Sequence, residues 1–283
     1  MFAIAIAALA AASFAQEPKT TDVKVADTNE VYYDMITGKK WTPESKFTIA
    51  QLKARDERVL KKTGGFMYIA EKGPQVMFLD AREKATATID SVGDLYKLGT
   101  KLSVQLVKQA RGDKAPLALG REIIAKGDIL LVVVVIDNCD DLPALTVFPE
   151  ERVGVVNADK LKGATNGDPS APEMRVAKEI WRAMGFIGGV GFSAQANDVM
   201  QPYYTLAELD RMHNPYIQPM NMLKMTYMWK RFGVDRTHRI PYRKAVQDGW
   251  APPPTNDYQR AVWDEVKAWQ ATNAMKKASA PAK

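Results

Sequence analysis

Residues 172–202 read PEMRVAKEIWRAMGFIGGVGFSAQANDVMQP, and this stretch decides how the rest of the chain is read. Its first half is a helix. Pro172 suits a first helical position, where the missing N–H has no partner to lose. Glu173 in the first turn complements the helix dipole. Val176, Ile180 and Met184 recur at four-residue spacing, with Ala177 and Ala183 as small flanking residues, so one face is apolar. Gly185, Gly188, Gly189 and Gly191 then break the helix. A buried helix that ends in a glycine-rich turn is expected.

The run from Lys178 to Gly185, KEIWRAMG, resembles the metal-binding helix of the metzincin zinc proteases, whose frame is H-E-x-x-H-x-x-G-x-x-H. Glu179 and Gly185 match the frame. Downstream, Asp198-Val199-Met200-Gln201-Pro202 resembles the Met-turn that underlies such a site, with Met200 and Pro202 as its supporting residues. The three metal-ligand positions have changed. Lys178 and Arg182 stand at the two helical histidines, and Gly188 stands at the third.

That change has a chemical meaning. Zinc takes neutral imidazole or anionic ligands, three of them from the protein in a catalytic site. Lysine would have to lose a proton, and arginine does not do so in proteins. Residues 178 and 182 share one helix face, so two cations stand where a dication would sit. Glu179, the general base of the resemblance, then has no metal-bound water to activate. It is expected to pair with Arg175 or Arg182. No catalytic residue is assigned beyond this vestigial glutamate, and no cofactor is expected. Zinc would require ligands outside the frame.

The chain has 283 residues, 46% hydrophobic and 25% charged, an ordinary globular composition with material for an ample core. Residues 1–15, MFAIAIAALAAASFA, are apolar and uncharged and end in a small-x-small pattern, as a secretory signal does. They lack a basic leading segment, so the start codon is left open. An exported protein, periplasmic or extracellular, is expected to begin near Gln16. The run 1–15 is too short to span a bilayer, and no other apolar run reaches its length. The single cysteine, Cys139, has no partner for an internal disulfide.

Residues 16–46 read as an N-terminal arm. Residues 47–62 are a charged helix that Gly64 and Gly65 stop. Residues 66–70 and 75–80, joined by Glu71-Lys72-Gly73-Pro74, carry a hairpin signal. Residues 87–98 have helical spacing, and 102–107 form the next strand. The run 129–136, ILLVVVVI, is a central strand buried on both faces. Two short strands, 145–148 and 153–157, follow. The acidic loop after ILLVVVVI, Asp137 to Asp141, lacks the ligand order of an EF-hand and reads as solvated.

The fold class is therefore α/β (α+β): a metzincin-like mixed sheet, a long former active-site helix, a Met-turn and a helical C-terminal part. The resemblance is nearest to archaemetzincins and covers residues 64–205. The domain reading places a metzincin-like unit at 47–205 and a basic helical region, packed on it, at 206–283. Met220, Met222, Met225 and Met228 read as a core-packed helix. Residues 211–283 hold 13 basic and 5 acidic side chains, against 26 and 28 in the rest. Such a face suits an anionic or acidic partner, and export disfavours nucleic acid.

Pro252-Pro253-Pro254 is a stiff linker, and Thr255 or Asn256 caps a last helix from residue 257, with Ala261, Val262, Val266 and Trp269 on one side. His213 and His238, the only histidines, do not restore the frame's spacing.

Three readings stand at this point. The first is a pseudo-metalloprotease that binds an unidentified protein or an anionic ligand, the latter at Lys178 and Arg182. The second is a hydrolase with a non-standard site, Glu179 with Asp198 or with a ligand from His213. The third is an unrelated α/β envelope protein.

Overall fold

The computed structural model describes residues 32, 34, 39–165, 167–193, 198–212, 217 and 219–278. The apolar stretch 1–15 and His213 lie outside them. In chain order the elements are α1 (Ile49–Thr63), β1 (Phe66–Ala70), β2 (Gln75–Asp80), α2 (Thr88–Thr100), β3 (Val104–Lys108), α3 (Pro116–Ala125), β4 (Ile129–Ile136), β5 (Leu145–Phe148) and β6 (Val153–Asn157). There follow α4 (Ala171–Ile187), α5 (Leu206–Arg211), α6 (Pro219–Arg231), β7 (Thr237–Pro241), α7 (Tyr242–Gln247) and α8 (Asp257–Ala278).

Five strands form a mixed sheet in the order β3-β2-β4-β6-β5. β3, β2, β4 and β6 run parallel, and β5 closes one edge antiparallel to β6. The ILLVVVVI run is its central strand, and every residue of it is buried. The two faces of β4 explain why the run does not alternate. Val132, Val134 and Ile136 pack with Leu119 and Ile123 of α3. Leu131, Val133 and Val135 pack with α2 and α4 on the other side, against Ile89, Val92, Ile180 and Met184.

The hairpin expected from residues 66–80 does not form. β2 is flanked by β3 and β4, so it has no free edge to offer. β1 instead pairs antiparallel with β7, from Phe66 opposite Pro241 to Ala70 opposite Thr237. Residues 71–74 are thus a passage between two sheets. Gly73 lets this passage lie close to its neighbours, since a Cβ there would stand 2.9 Å from Val234 Cγ2 and 3.0 Å from Leu102 Cδ2. The basic C-terminal region, read as helical, therefore also supplies a strand.

A separate cluster joins β1 to the C-terminal helices: Met67, Tyr242, Ala245, Val246, Val262 and Val266. Asn256 caps α8, its Oδ1 accepting the Gln259 N–H at 3.0 Å. Trp269, expected on the buried side of that helix, is exposed, as is Ala261. Val262 and Val266 are the buried apolar residues of the seam, with Trp263 partly buried beside them, because α8 lies on the domain along one narrow stripe. In α6, Met225 and Trp229 are fully buried, as the core-packed reading requires, while Tyr227 points to solvent.

Candidate functional site

From Arg175 onward α4 is largely buried, yet only one of its faces is apolar. Val176, Ile180, Ala183 and Met184 lie against the sheet. The approach is closest at Gly154 of β6, where a Cβ would stand 2.8 Å from Ala183 Cβ. The opposite face carries Arg175, Lys178, Glu179 and Arg182, all buried. A buried charged face needs partners or it destabilises the fold. Most of the partners come from residues 198–212.

Arg182 is the hub. Its Nη1 donates to Val199 O at 2.5 Å and to Gln201 O at 2.7 Å. Its Nε lies 3.3 Å from Glu179 Oε1. The guanidinium is 4.9 Å from the centre of the Tyr203 ring and 5.6 Å from that of Phe186, so its faces meet aromatic carbon. Lys178 donates from Nζ to Leu209 O at 2.8 Å, with Asp210 O at 3.4 Å. Burial lowers the pKa of this ammonium, and Asp210 opposes the shift. One turn earlier, Arg175 makes a two-pronged pair with Asp210, at 2.8 and 2.7 Å, and donates to Leu161 O and Ala164 O. The three cations thus tie α4 to the turn 198–201, to α5 and to the loop before α4.

Met200 sits beneath α4. A Cβ on Gly185 would stand 2.5 Å from Met200 Sδ and 3.1 Å from Ile217 Cδ1, so glycine is what admits the methionine. Asp198 builds the turn: its Oδ1 accepts from Met200 N–H at 3.0 Å, and its Oδ2 accepts from Asn221 at 2.7 Å. Gly188 follows the helix and is buried, with Met225 Cγ only 2.6 Å from where its Cβ would be. Pro202 is exposed at the end of the turn. The sequence frame and the turn downstream of it are therefore brought together, with Gly185 and Met200 in direct apposition.

The solved structures that resemble this chain are archaemetzincins and a zinc-dependent peptidase. An archaemetzincin from Methanopyrus kandleri has 20% identity and a TM-score of 0.44, over 56% of this chain and 97% of that one. A zinc-dependent peptidase from Methanocorpusculum labreanum has 17% identity and a TM-score of 0.42, over 53% and 99%. The archaemetzincin from Archaeoglobus fulgidus, complexed with malonate, has 15% identity and a TM-score of 0.39, over 53% and 99%. No family model and no curated protein matches the sequence.

The side chains at the three frame positions do not fit a zinc ion. Arg182 and Lys178 are donors directed into carbonyl oxygens, and Gly188 has no room for a ligating side chain. Among the described residues, no group of three His, Cys, Asp or Glu side chains is placed to hold a metal. His238 is remote from α4, on β7, bonded to Glu71 at 2.7 Å. Glu179 and Asp198 are held by different partners, Arg182 for the one and Asn221 with the turn N–H for the other. Both cations, suggested as an anion site, donate internally instead.

Glu179 is the one strained acid of the site. Burial holds its carboxyl above the usual carboxylate range, with Arg182 pulling it back. Burial and the charge of Glu179 together push the Tyr203 phenol up. A carboxyl that binds its proton more tightly folded than unfolded stabilises most at low pH. Its contribution falls as pH rises from the ordinary carboxylate range through the folded value. Replacing Glu179→Gln should remove that fall. Urea unfolding of both proteins between about pH 4 and 8 checks it; an unchanged slope would show that Glu179 titrates normally.

Sequence reading missed Arg175–Asp210, offering Glu179 either Arg175 or Arg182 by helical spacing, of which Arg182 is its partner. It also missed Tyr203 under Arg182. The signal for the first was available: an arginine on a buried helix with several cations on one face requires an acid from elsewhere.

Proposed function

We propose that this chain is an exported, metzincin-like scaffold that has given up zinc chemistry and acts by binding another molecule. One observation carries the reading. At the two helical histidine positions of the frame stand Lys178 and Arg182, and both donate to main-chain carbonyls of the segment that includes the Met-turn. The cations perform mechanically what a shared metal would otherwise help to do, holding helix and turn together. Glu179 becomes the counter-ion of Arg182 in place of a base. The apolar residues 1–15 support export.

The test is hydrolysis of a mixed peptide library by the full-length chain and by Glu179→Gln, with and without added zinc. No cleavage above background in any arm is expected. Cleavage that needs Glu179 and is stopped by a chelator would overturn the reading.

A further inference from the structure

The turns that lead into β2, β4 and β6 meet the end of α6 around a pocket of about 450 Å³, open to solvent. That volume is in the range of small-molecule sites. Gly73, Pro74, Gly127, Asp128, Arg152 and Phe232 line it, and it shares no residue with the ionic face of α4.

Two of these residues hold left-handed backbone without being glycine, Asp128 at φ 53° and Arg152 at φ 59°. Aspartate tolerates that region, and arginine does so at a cost that glycine would not carry. The turn before β6 imposes it. Arg152 N–H donates to Pro149 O at 3.1 Å, and Arg152 O accepts from Val132 N–H at 3.0 Å. The arginine must offset the strain through its side chain.

The fold uses one end of that side chain. Nη1 donates to Ile129 O at 2.7 Å, with Leu130 O at 3.3 Å, and the guanidinium lies 4.7 Å from the centre of the Phe232 ring. These contacts fix the group in the pocket wall. Nε and Nη2 have no partner among the described residues, and neither is sealed from solvent. That edge of a guanidinium is a fork that takes two oxygens of one carboxylate or phosphate. Burial lowers the pKa of the Arg152 guanidinium, and no acid, Asp128 included, pulls it back. A partly desolvated cation without a counter-ion gains by meeting an anion. Arg231, outside the wall, adds positive charge 5.6 Å from the centre of the same Phe232 ring.

We propose that this pocket binds a small oxyanion, a phosphate or carboxylate group whose two oxygens accept from Nε and Nη2 of Arg152. The site stands whether or not α4 retains any zinc chemistry.

The test titrates inorganic phosphate and acetate calorimetrically into the full-length chain at constant chloride. Saturable binding is expected, and the tighter of the two names the group. Arg152→Lys keeps a positive charge that can still reach Ile129 O but has no fork. It should weaken the anion by at least about tenfold, the worth of one hydrogen bond to a charged group. Arg152→Gly suits the left-handed backbone and should abolish binding. Unchanged thermal unfolding of these variants separates lost binding from lost fold. Asp128→Asn keeps a residue that tolerates left-handed backbone and takes the acid out of the wall, so it should not weaken the anion. Saturable binding of neither probe, equal affinity in Arg152→Lys, or loss of binding in Asp128→Asn would overturn the site.

Discussion

Replacing Arg182→Met should lower the unfolding free energy by about 3–5 kcal/mol at neutral pH, the usual consequence of removing one partner from a buried ion pair. Methionine matches the length of the aliphatic stem but gives no donor. Val199 O and Gln201 O then lose the Nη1 hydrogen bonds, and Glu179, with 0% of its surface exposed, loses its counter-ion. The turn 198–201 is released from α4, so the seat of Met200 against Gly185 loosens with it. The loss should shrink as pH falls, because Glu179 can then take up a proton and leave no bare charge. A second change, Glu179→Met in the same chain, should recover part of the loss, since an apolar pair has no charge to strand. Urea denaturation of the two singles and the double measures all three. A loss below about 1 kcal/mol for Arg182→Met would mean the hub is solvated in solution and that α4 is held by its apolar face alone.

The second large effect lies at the other end of α4. Asp80, the last residue of β2, is fully buried and receives Arg82 Nε at 2.8 Å and Nη2 at 2.7 Å. Arg82 Nη1 reaches Glu173 Oε1, in the first turn of α4, at 2.9 Å. Thr86 and Thr88 complete the cluster by donating to Glu173. Arg82→Met would leave the Asp80 carboxylate with only two long backbone donors, at 3.3 Å from Arg82 N and Thr86 N. About 3–5 kcal/mol should be lost. Glu173→Gln should cost under about 1 kcal/mol, because this side chain is 40% exposed and its pairing is screened. The ordering of the two variants is the check. A larger loss from Glu173→Gln would place the support of α4 in the threonine contacts instead of in Asp80.

The parts of this fold that were legible in the sequence are those fixed by local pattern. ILLVVVVI could only be a strand covered on both faces, and α3 on one side with α2 and α4 on the other do cover it. The α4 stripe at Val176, Ile180 and Met184 also follows from spacing. Pairing choices over long separations were not legible. β1 and β2 carry a turn between them that suits a hairpin, yet the partner of β1 begins at Thr237, and β2 lies between two parallel strands. At the site, the residue types were readable and their targets were not. Nothing in the sequence says that Arg182 donates to Val199 O, since a main-chain carbonyl has no letter of its own. Helical spacing offered Glu179 either Arg175 or Arg182, and the pairing of Arg175 with Asp210 of α5 decided it.

We propose that Lys178 and Arg182 stand in place of a metal between helix and turn. The zinc content of the purified chain, measured by mass spectrometry after dialysis against zinc and then against metal-free buffer, decides this. No stoichiometric zinc is expected, and one equivalent retained per chain would overturn the proposal.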